Sequence, residues 1–250
     1  MTPLAHADQP PDFIKLLAND VRWGVLKALA SGDHQVNELV TLLQQPMNLV
    51  SYHLKKMREE ALVTTRRSEA DGRDVYYTLD LERLRDLYLA AGGALHPLLS
   101  EPRHVADLDN LPAVRVLVVC THNSARSQMT EGLLRDLSHG KIAAFSAGSH
   151  PTQVHPDAIR AMDNFGIDIR GQSVHHVNEY EGQSFDYVIT VCDKARENCP
   201  TFPGEGQQLH WGYPDPLAIT GAEQRQAAFM QIAQRLRIRI EHFLVTLAQP

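Results

Sequence analysis

One cysteine stands at the end of an apolar run and is followed, after five residues, by Arg-Ser. Cys120 closes the run Val-Leu-Val-Val-Cys, and Arg126 and Ser127 open a segment with helical spacing. Backbone N–H groups of such a loop converge on a tetrahedral oxyanion, and a guanidinium grips two of its oxygens. The same positive field and the Ser127 hydroxyl stabilise a thiolate, which predicts that Cys120 is a nucleophile. The residues predicted to surround the oxyanion are Thr121, His122, Asn123, Ser124, Ala125, Arg126 and Ser127.

Two further cysteines, Cys192 and Cys199, flank a polar segment of six residues that follows another apolar run. A disulfide between them requires Cα atoms within about 7 Å, so the segment has to bend or unwind. A redox pair on a mobile segment can bend in this way. Two cysteines without a redox role need no such bending. The spacing alone leaves both interpretations open.

A carboxylate lies between two prolines in the stretch His-Trp-Gly-Tyr-Pro-Asp-Pro, where it is Asp215. A carboxyl group on a rigid loop beside an oxyanion site can act as the general acid for a leaving oxygen. Aspartate is also common in proline-rich turns, where it bonds only to the backbone. Taken alone, the position of Asp215 between two prolines favours a turn residue. The general-acid hypothesis holds only if Asp215 lies beside the oxyanion-binding loop.

The elements that must position these residues alternate between short apolar runs and helical segments. The expected strands cover 115–119, 142–146, 187–191 and 208–211, and the expected helices cover 127–138, 156–165 and a long segment from 222. Alternation of this kind predicts an α/β domain over 113–250, with a parallel sheet flanked by helices. The first strand would lead directly into the Cys-x5-Arg phosphate loop.

The first half is almost entirely helical in pattern. One helical segment over 14–29 is followed by helices over 36–43 and 47–60, two strand-like runs over 62–67 and 75–79, and a helix over 81–91. The Asp-Gly pair between the strand-like runs is typical of a hairpin. This order predicts a mainly α winged helix-turn-helix domain over 1–95. Glycines and prolines without a sustained period indicate a linker over 96–112.

The helix that begins at Met47 carries a polar side. Small polar side chains at its start suit base edges in the major groove, and the cations that follow suit phosphates. Residues 55–73 hold six Lys and Arg against four acidic residues, so charge alone does not separate this surface from an ordinary solvated helix face. The side chains on this side are Asn48, Ser51, Tyr52, His53, Lys55, Lys56 and Arg58.

Composition limits the classes of protein. With 43% hydrophobic and 22% charged residues the chain can bury a core, and a formal charge of −6 excludes a bulk polycation. No apolar run approaches the roughly 18 residues of a membrane span, and the N-terminus lacks the pattern of a signal peptide. The first 119 residues contain no cysteine, which argues against a secreted disulfide framework and favours a reducing cytoplasm. The scattered His34 and His53 predict no metal site.

Residues 12–91 resemble the ArsR/SmtB family of winged-helix repressors, because NLVSYHLKKMREEALVTTRRSEADGRDVYYTL is similar to that family's recognition helix and wing. The resemblance implies a homodimer, formed through the first and last helices, on double-stranded operator DNA. It implies base contacts from Asn48, Ser51, Tyr52 and His53, and backbone contacts from Arg66, Arg67 and Arg73. Family members that sense arsenite place a cysteine pair on the helix over 36–43, and this helix has none, although thiolate capture of arsenite needs cysteine.

Residues 113–248 resemble the low-molecular-weight protein tyrosine phosphatase superfamily and, within it, the arsenate reductases that use a three-cysteine relay. The matching stretches are CTHNSARSQMTEG, the Ser-Ala-Gly of 146–148, VITVC-x6-CP and HWGYPDP. Ordinary phosphatases of the superfamily lack the pair Cys192 and Cys199. His122 stands where a glycine is usual, and Ala125 stands where many members have a second loop cysteine.

This second resemblance implies a mechanism. Cys120 attacks arsenate, Asp215 protonates the departing oxygen, Cys192 attacks the adduct and Cys199 resolves the resulting disulfide. Thioredoxin or a similar dithiol would then reduce the chain, with no bound metal or flavin. The potassium site of the superfamily would use Asn123, Glu131 and Ser146, but no carboxylate lies within 173–177, so that ion is left open.

Three functions compete on this evidence. The first is a fusion of a DNA-binding transcriptional regulator with an arsenate reductase, and it is favoured because the catalytic set is complete. The second is a phosphatase fused to a regulator, in which water hydrolyses a phosphocysteine at Cys120. The third is a regulator whose second half binds an oxyanion without turnover.

Overall fold

The computed structural model describes residues 10–96, 99, 111–198 and 206–248. The chain forms two compact units, one of Met1–Arg67 with Asp74–Val105 and one of Ser68–Arg73 with Ala106–Pro250. Most of the predicted linker 96–112 lies outside the described residues, and so does Cys199. Within the described ranges, none of the helices combines the length and the apolarity that crossing a bilayer requires.

The first unit is helical apart from a small antiparallel sheet. Its elements are α1 (Asp12–Leu17), α2 (Asp20–Ser31), β1 (His34–Gln35), α3 (Val36–Leu43), α4 (Met47–Glu59), β2 (Val63–Arg67), β3 (Val75–Leu79) and α5 (Leu81–Leu95). Strand β3 lies between β1 and β2 and is antiparallel to both. The predicted helix-turn-helix and wing are therefore confirmed, and β1 is an additional short strand that the sequence did not reveal.

Apolar residues of the helices form the core of this unit. The innermost are Val25, Leu29, Leu39, Leu54 and Met57, each at most 1% exposed. The predicted single helix over 14–29 is wrong, because the chain breaks between α1 and α2. Asn19 begins α2 by accepting the backbone N–H of Arg22 with its side chain at 3.1 Å, and this cap starts a new helix at Asp20.

The second unit is an α/β domain. Its elements are β4 (Arg115–Cys120), α6 (Arg126–Leu137), β5 (Ala143–Gly148), α7 (Pro156–Asp163), β6 (Tyr187–Thr190), α8 (Asp193–Asn198), β7 (Gln207–His210) and α9 (Ala222–Ala248). The sheet has the order β5-β4-β6-β7, and every neighbouring pair is parallel. The predicted parallel sheet is confirmed, and the polar segment after Cys192 forms the short helix α8.

The central strand β4 explains why the site lies where it does. Val116, Leu117 and Val118 are fully buried, because the sheet is covered on both faces. Each such side chain stabilises the fold by roughly 1.5–3 kcal/mol relative to an exposed one. Ligand sites of parallel sheets form where the carboxyl ends of the strands meet. β4 ends at Cys120 and β6 ends two residues before Cys192, so the topology brings both thiols to one edge.

A buried carboxylate joins α7 to α9. The Asp157 side chain is 1% exposed and pairs with Arg160 and with the Nε of Arg225 at 2.7 Å. Burial works to raise the pKa of Asp157, but the hydrogen bonds from Arg225 and Arg160 outweigh it, and the pKa lies below its ordinary 3.8. The ionised carboxylate therefore stabilises the folded unit.

Replacing this carboxylate by an amide tests its contribution. Asp157→Asn should lower the free energy of unfolding by about 2 kcal/mol at neutral pH, since it leaves two guanidinium groups without their anion. A pKa that is lower in the folded state gives stability that is present above about pH 4 and is lost as the pH falls further. Urea unfolding at pH 7 and pH 3 should show the gap to wild type closing at pH 3.

The matched control is Asp168→Asn, which removes an exposed carboxylate paired with Arg170. It should change stability by less than about 0.5 kcal/mol. A gap for Asp157→Asn that is equally large at both pH values would contradict the ion-pair explanation.

Candidate active site

The thiol of Cys120 lies where β4 ends and a five-residue loop to α6 begins. It is 5% exposed, and two donors face it: the Ser127 hydroxyl at 2.9 Å and the backbone N–H of Asn123 at 3.0 Å. The start of α6 adds the positive end of a helix dipole beside these two contacts. This geometry suits the predicted nucleophile.

The loop is held rigidly from behind. Asn123 has a left-handed backbone with φ of 46°, and its side-chain NH₂ donates to the hydroxyls of Ser146 at 2.7 Å and Ser127 at 3.1 Å. Its side-chain oxygen accepts the N–H of His175 at 2.8 Å. A Cβ at Gly148 would lie 2.8 Å from the Asn123 nitrogen, so only glycine allows the loop to approach β5 this closely.

Arg126 is the buried cation of the site, with a side chain only 8% exposed. Its NH1 donates to the carbonyl of Tyr213, and its NH2 lies 3.5 Å from a carboxylate oxygen of Asp215. Burial works to lower the pKa of Arg126, but nearby carboxylates and thiols outweigh it, and the pKa lies above its ordinary value. The loop therefore keeps a permanent positive charge, and the predicted general acid lies beside it.

The second thiol lies beside the first residue of the loop. Cys192 is 1% exposed, and its sulfur is 3.4 Å from the hydroxyl of Thr121. Burial, with the charge of Cys120, raises the pKa of Cys192, while Arg126, Thr121 and the N–H of Ala195 oppose that rise. The net effect is a pKa of Cys192 above its ordinary value.

A carboxylate from the hexapeptide Ser68–Arg73, which belongs to this unit, also faces Arg126. Glu69 Oε2 is 3.4 Å from the guanidinium, and Glu69 Oε1 accepts the backbone N–H of Asp215 at 2.6 Å. Its side chain is 27% exposed. Sequence reasoning missed Glu69 because nothing in its local sequence relates it to a loop more than 50 residues away.

A family model described as low molecular weight phosphotyrosine protein phosphatase matches residues 115–250, more than half of the chain. The chain belongs to this family. A second model, described as bacterial regulatory protein of the arsR family, matches residues 19–65. Both predicted resemblances are thus confirmed, and this family member joins an arsR-type helix-turn-helix to a phosphatase-like domain.

Proteins similar to this family member include arsenate reductases. The arsenate reductase of Halalkalibacterium halodurans is 34% identical over 132 residues, which cover 52% of this chain and 95% of that protein. The arsenate reductase of Bacillus subtilis strain 168 is 33% identical with the same coverage. A solved structure described as an arsenate reductase in the phosphate binding state is 31% identical, covers 54% of this chain and 98% of its own, and has a TM-score of 0.45.

The residues that the resemblance assigns to potassium have other partners here. Asn123 already gives its side-chain oxygen to His175, and one oxygen of Glu131 pairs with the guanidinium of Arg135. Burial raises the pKa of Glu131, while Ser146, Arg135 and His175 oppose that rise. The second oxygen of Glu131, Oε2, is buried and makes no hydrogen bond among the described residues, so the potassium site stays a prediction of the resemblance. In the described part of the chain, no cluster of three His, Cys, Asp or Glu could hold a metal.

The predicted DNA-contacting residues of α4 divide into two groups. Exposed side chains are those of Asn48, Ser51, Tyr52, Lys55 and Lys56. His53 is 5% exposed, and its Nδ1 lies 3.3 Å from Arg22, so it packs inside the unit. Burial and the Arg22 charge lower its pKa. This burial corrects the prediction that His53 faces DNA.

The arginines predicted to contact the DNA backbone also differ among themselves. Arg66 is 3.4 Å from the buried carboxylate of Asp33 and stacks over the ring of Tyr76, which leaves its side chain 17% exposed. Arg73 pairs with Asp71 at 2.7 Å, and this hydrogen bond lowers the pKa of Asp71 to about 2. Arg67 is exposed on β2. A DNA phosphate that binds Arg66 has to compete with the Asp33 carboxylate, and the backbone contact of Arg66 stays a prediction.

Glu69 should compete with an incoming anion for Arg126. Glu69→Gln removes the negative charge but keeps the shape, so inorganic phosphate should bind about fivefold more tightly, or roughly 1 kcal/mol. Calorimetric titration of the full chain with phosphate measures this. Asp71→Asn is the control, since its carboxylate lies in the same hexapeptide but pairs with Arg73. Equal phosphate affinity in wild type and Glu69→Gln would contradict the competition.

Proposed function

We propose that the second unit reduces arsenate to arsenite, with Cys120 as the nucleophile and Cys192 as the second thiol of a relay. The observation that carries this proposal is the buried Cys192 sulfur beside Thr121, the first residue of the loop that holds the nucleophile. Phosphoryl transfer needs one thiol only. A second thiol at the loop gives the adduct on the first a partner for disulfide formation.

The first step is an exchange of ligands on arsenic. The Cys120 thiolate forms a bond to As(V), and an oxygen leaves as water after protonation by Asp215. Loop N–H groups and Arg126 hold the remaining oxygens and stabilise the charge that builds on them. The sequence similarity to arsenate reductases over 132 residues supports arsenate as the substrate.

The second step is the reduction. The Cys192 thiolate attacks the sulfur of Cys120, a disulfide forms, and the electron pair of the broken S–As bond stays on arsenic, which leaves as arsenite. Cys192 must first lose its proton, although burial raises its pKa. Arg126 and the Thr121 hydroxyl oppose that rise, so the oxyanion-binding cation also assists the second thiol.

The third step resolves the disulfide. The Cys199 thiolate attacks Cys192 and releases Cys120 as a thiolate for the next cycle. A helix over α8 carries the chain about 9 Å along its axis, more than the separation of about 7 Å that a disulfide allows, so α8 has to unwind at least in part. The Cys192–Cys199 disulfide is then reduced by an external dithiol such as thioredoxin.

A phosphatase is the second candidate, and the arrangement of Cys120, Arg126 and Asp215 supports it. Phosphate is a tetrahedral oxyanion of the same charge and geometry as arsenate, so the loop accepts both. Water would hydrolyse the phosphocysteine at Cys120, and Cys192 would take no part. The two activities share the first step and differ only in their use of the second thiol.

For the first unit we propose a homodimeric transcriptional regulator that binds operator DNA in the cytoplasm. Support comes from the arsR-type match over residues 19–65 and from the exposed polar side of α4. Since the first 119 residues contain no cysteine, any response of DNA binding to arsenite has to pass through the thiols of the second unit. Oxyanion sensing without turnover remains the alternative for that unit.

The relay predicts a defined trap. In Cys199→Ser, arsenate should drive the chain to a Cys120–Cys192 disulfide and stop after one turnover. In Cys192→Ser, thioredoxin-coupled turnover should fall at least 100-fold, while p-nitrophenyl phosphate hydrolysis changes less than about threefold. Peptide mass spectrometry under non-reducing conditions identifies the disulfide. Multiple turnover in either variant would rule the relay out.

The α4 surface predicts a salt effect. Lys55→Ala should weaken binding to an operator duplex and shallow the plot of log affinity against log salt by about one unit, because one phosphate contact is lost. Lys27→Ala is the control, since Lys27 is an exposed lysine on α2. An unchanged slope for Lys55→Ala, or an equal loss for Lys27→Ala, would contradict this face as the DNA-binding surface.

A further inference from the structure

A fully buried histidine lies behind Cys192 and takes no part in the chemistry proposed above. His210 ends β7, and its side chain is 0% exposed. Its Nε2 is 3.0 Å from a carboxylate oxygen of Asp193, and its Nδ1 is 2.8 Å from the hydroxyl and 3.2 Å from the carbonyl oxygen of Thr190. The His210 imidazole therefore bonds to both Thr190 and Asp193, the residues just before and just after the pair Val191 and Cys192.

The hydrogen-bond pattern makes this junction a strong one. The Thr190 hydroxyl donates to the carbonyl of Leu209 at 3.3 Å, so it accepts from His210. The Asp193 carboxylate, 1% exposed, accepts only. The ring therefore bridges the Asp193 carboxylate at Nε2 and the oxygens of Thr190 at Nδ1. Removing His210 is costly, because one oxygen of the buried Asp193 carboxylate then loses its hydrogen bond, while the other keeps the backbone N–H of Glu69 at 2.8 Å.

Cys192 is held from both sides by contacts that do not depend on the far end of α8. Before it, the Val191 N–H donates to the Val119 carbonyl at 2.9 Å and fixes the chain to β4. After it, Asp193 is fixed to His210 and begins the turn whose Ala195 N–H bonds the Cys192 sulfur. Asp193 is held at one oxygen by His210 and at the other by the backbone N–H of Glu69 at 2.8 Å, so if α8 unwinds beyond this turn these contacts still keep the Cys192 sulfur beside Thr121.

We propose that His210 is a positioning residue for the second thiol: through Asp193 it keeps Cys192 in place while the rest of α8 rearranges. The proposal rests on the proposed function, since only the relay requires α8 to unwind and Cys192 to stay. His210 touches no substrate. It acts on the two disulfide-forming steps and leaves the first step, which uses Cys120, Arg126 and Asp215, unchanged.

Steady-state kinetics of full-length His210→Ala separate these steps. Thioredoxin-coupled arsenate turnover should show kcat lowered about 100-fold, as expected for a misplaced reacting group, with KM for arsenate changed less than about threefold. Hydrolysis of p-nitrophenyl phosphate should stay within about threefold of wild type. The amide NH₂ of His210→Gln can still donate to Asp193, so kcat of this variant should be at least about tenfold higher than kcat of His210→Ala.

A second readout does not need arsenate turnover. Iodoacetamide alkylation of each cysteine, resolved by peptide mass spectrometry across pH, should show Cys192 of His210→Ala ionising at higher pH and reacting about tenfold more slowly at pH 7. Cys120 should react as in wild type. If wild type fails to reduce arsenate, the proposed function is wrong, and the alkylation profile still decides whether His210 positions Cys192.

The control for simple loss of stability is Leu209→Ala, which truncates the neighbouring residue of β7 against the core. It should lower the unfolding midpoint without changing the Cys192 profile or the ratio of the two activities. Equal losses in arsenate and p-nitrophenyl phosphate turnover for His210→Ala, or an unchanged Cys192 profile, would overturn the proposal.

Discussion

A thiolate and an oxyanion repel each other, so a site that joins them needs hydrogen-bond donors in fixed positions. The loop after β4 in the second unit supplies such donors. The Asn123 N–H and the Ser127 hydroxyl face the Cys120 sulfur, and the buried Arg126 supplies the charge. These donors remain fixed because Asn123 bonds to two neighbouring elements and because Gly148 lets the loop approach β5. The position of this loop is set by the parallel sheet, whose buried central strand leads into it, and by the helix that follows it.

The same sheet explains why a second thiol can take part. Parallel strands end at one edge, and β6 pairs directly with β4, so Cys192 follows the strand next to that of Cys120. This position desolvates Cys192, and burial raises the pKa of its thiol. In the proposed relay Arg126 has two tasks, to bind the anion and to oppose the rise in the pKa of Cys192. The carboxylate of Glu69 also faces this guanidinium, at 3.4 Å.

Local patterns in the sequence were enough to predict the fold class and the catalytic loop, because a Cys-x5-Arg loop and alternating strands and helices are short-range features. Contacts between residues far apart in the chain were not predictable. His53 has the spacing of a DNA-facing residue but packs against Arg22, and Arg66 pairs with Asp33 through tertiary structure. The break between α1 and α2 depended on a single cap at Asn19. His210 belongs to a recognised motif, yet its partners at Thr190 and Asp193 appear only when β6 and β7 are paired.

The proposed reductase activity requires a second thiol beside the oxyanion-binding loop. The most direct measurement compares initial turnover of arsenate and of p-nitrophenyl phosphate by the purified full chain, each with and without thioredoxin, thioredoxin reductase and NADPH. The account predicts that arsenate is reduced over many turnovers only with the reductant, and that phosphate ester hydrolysis is the same in both conditions. Phosphate ester hydrolysis without any reductant-dependent arsenate turnover would contradict it.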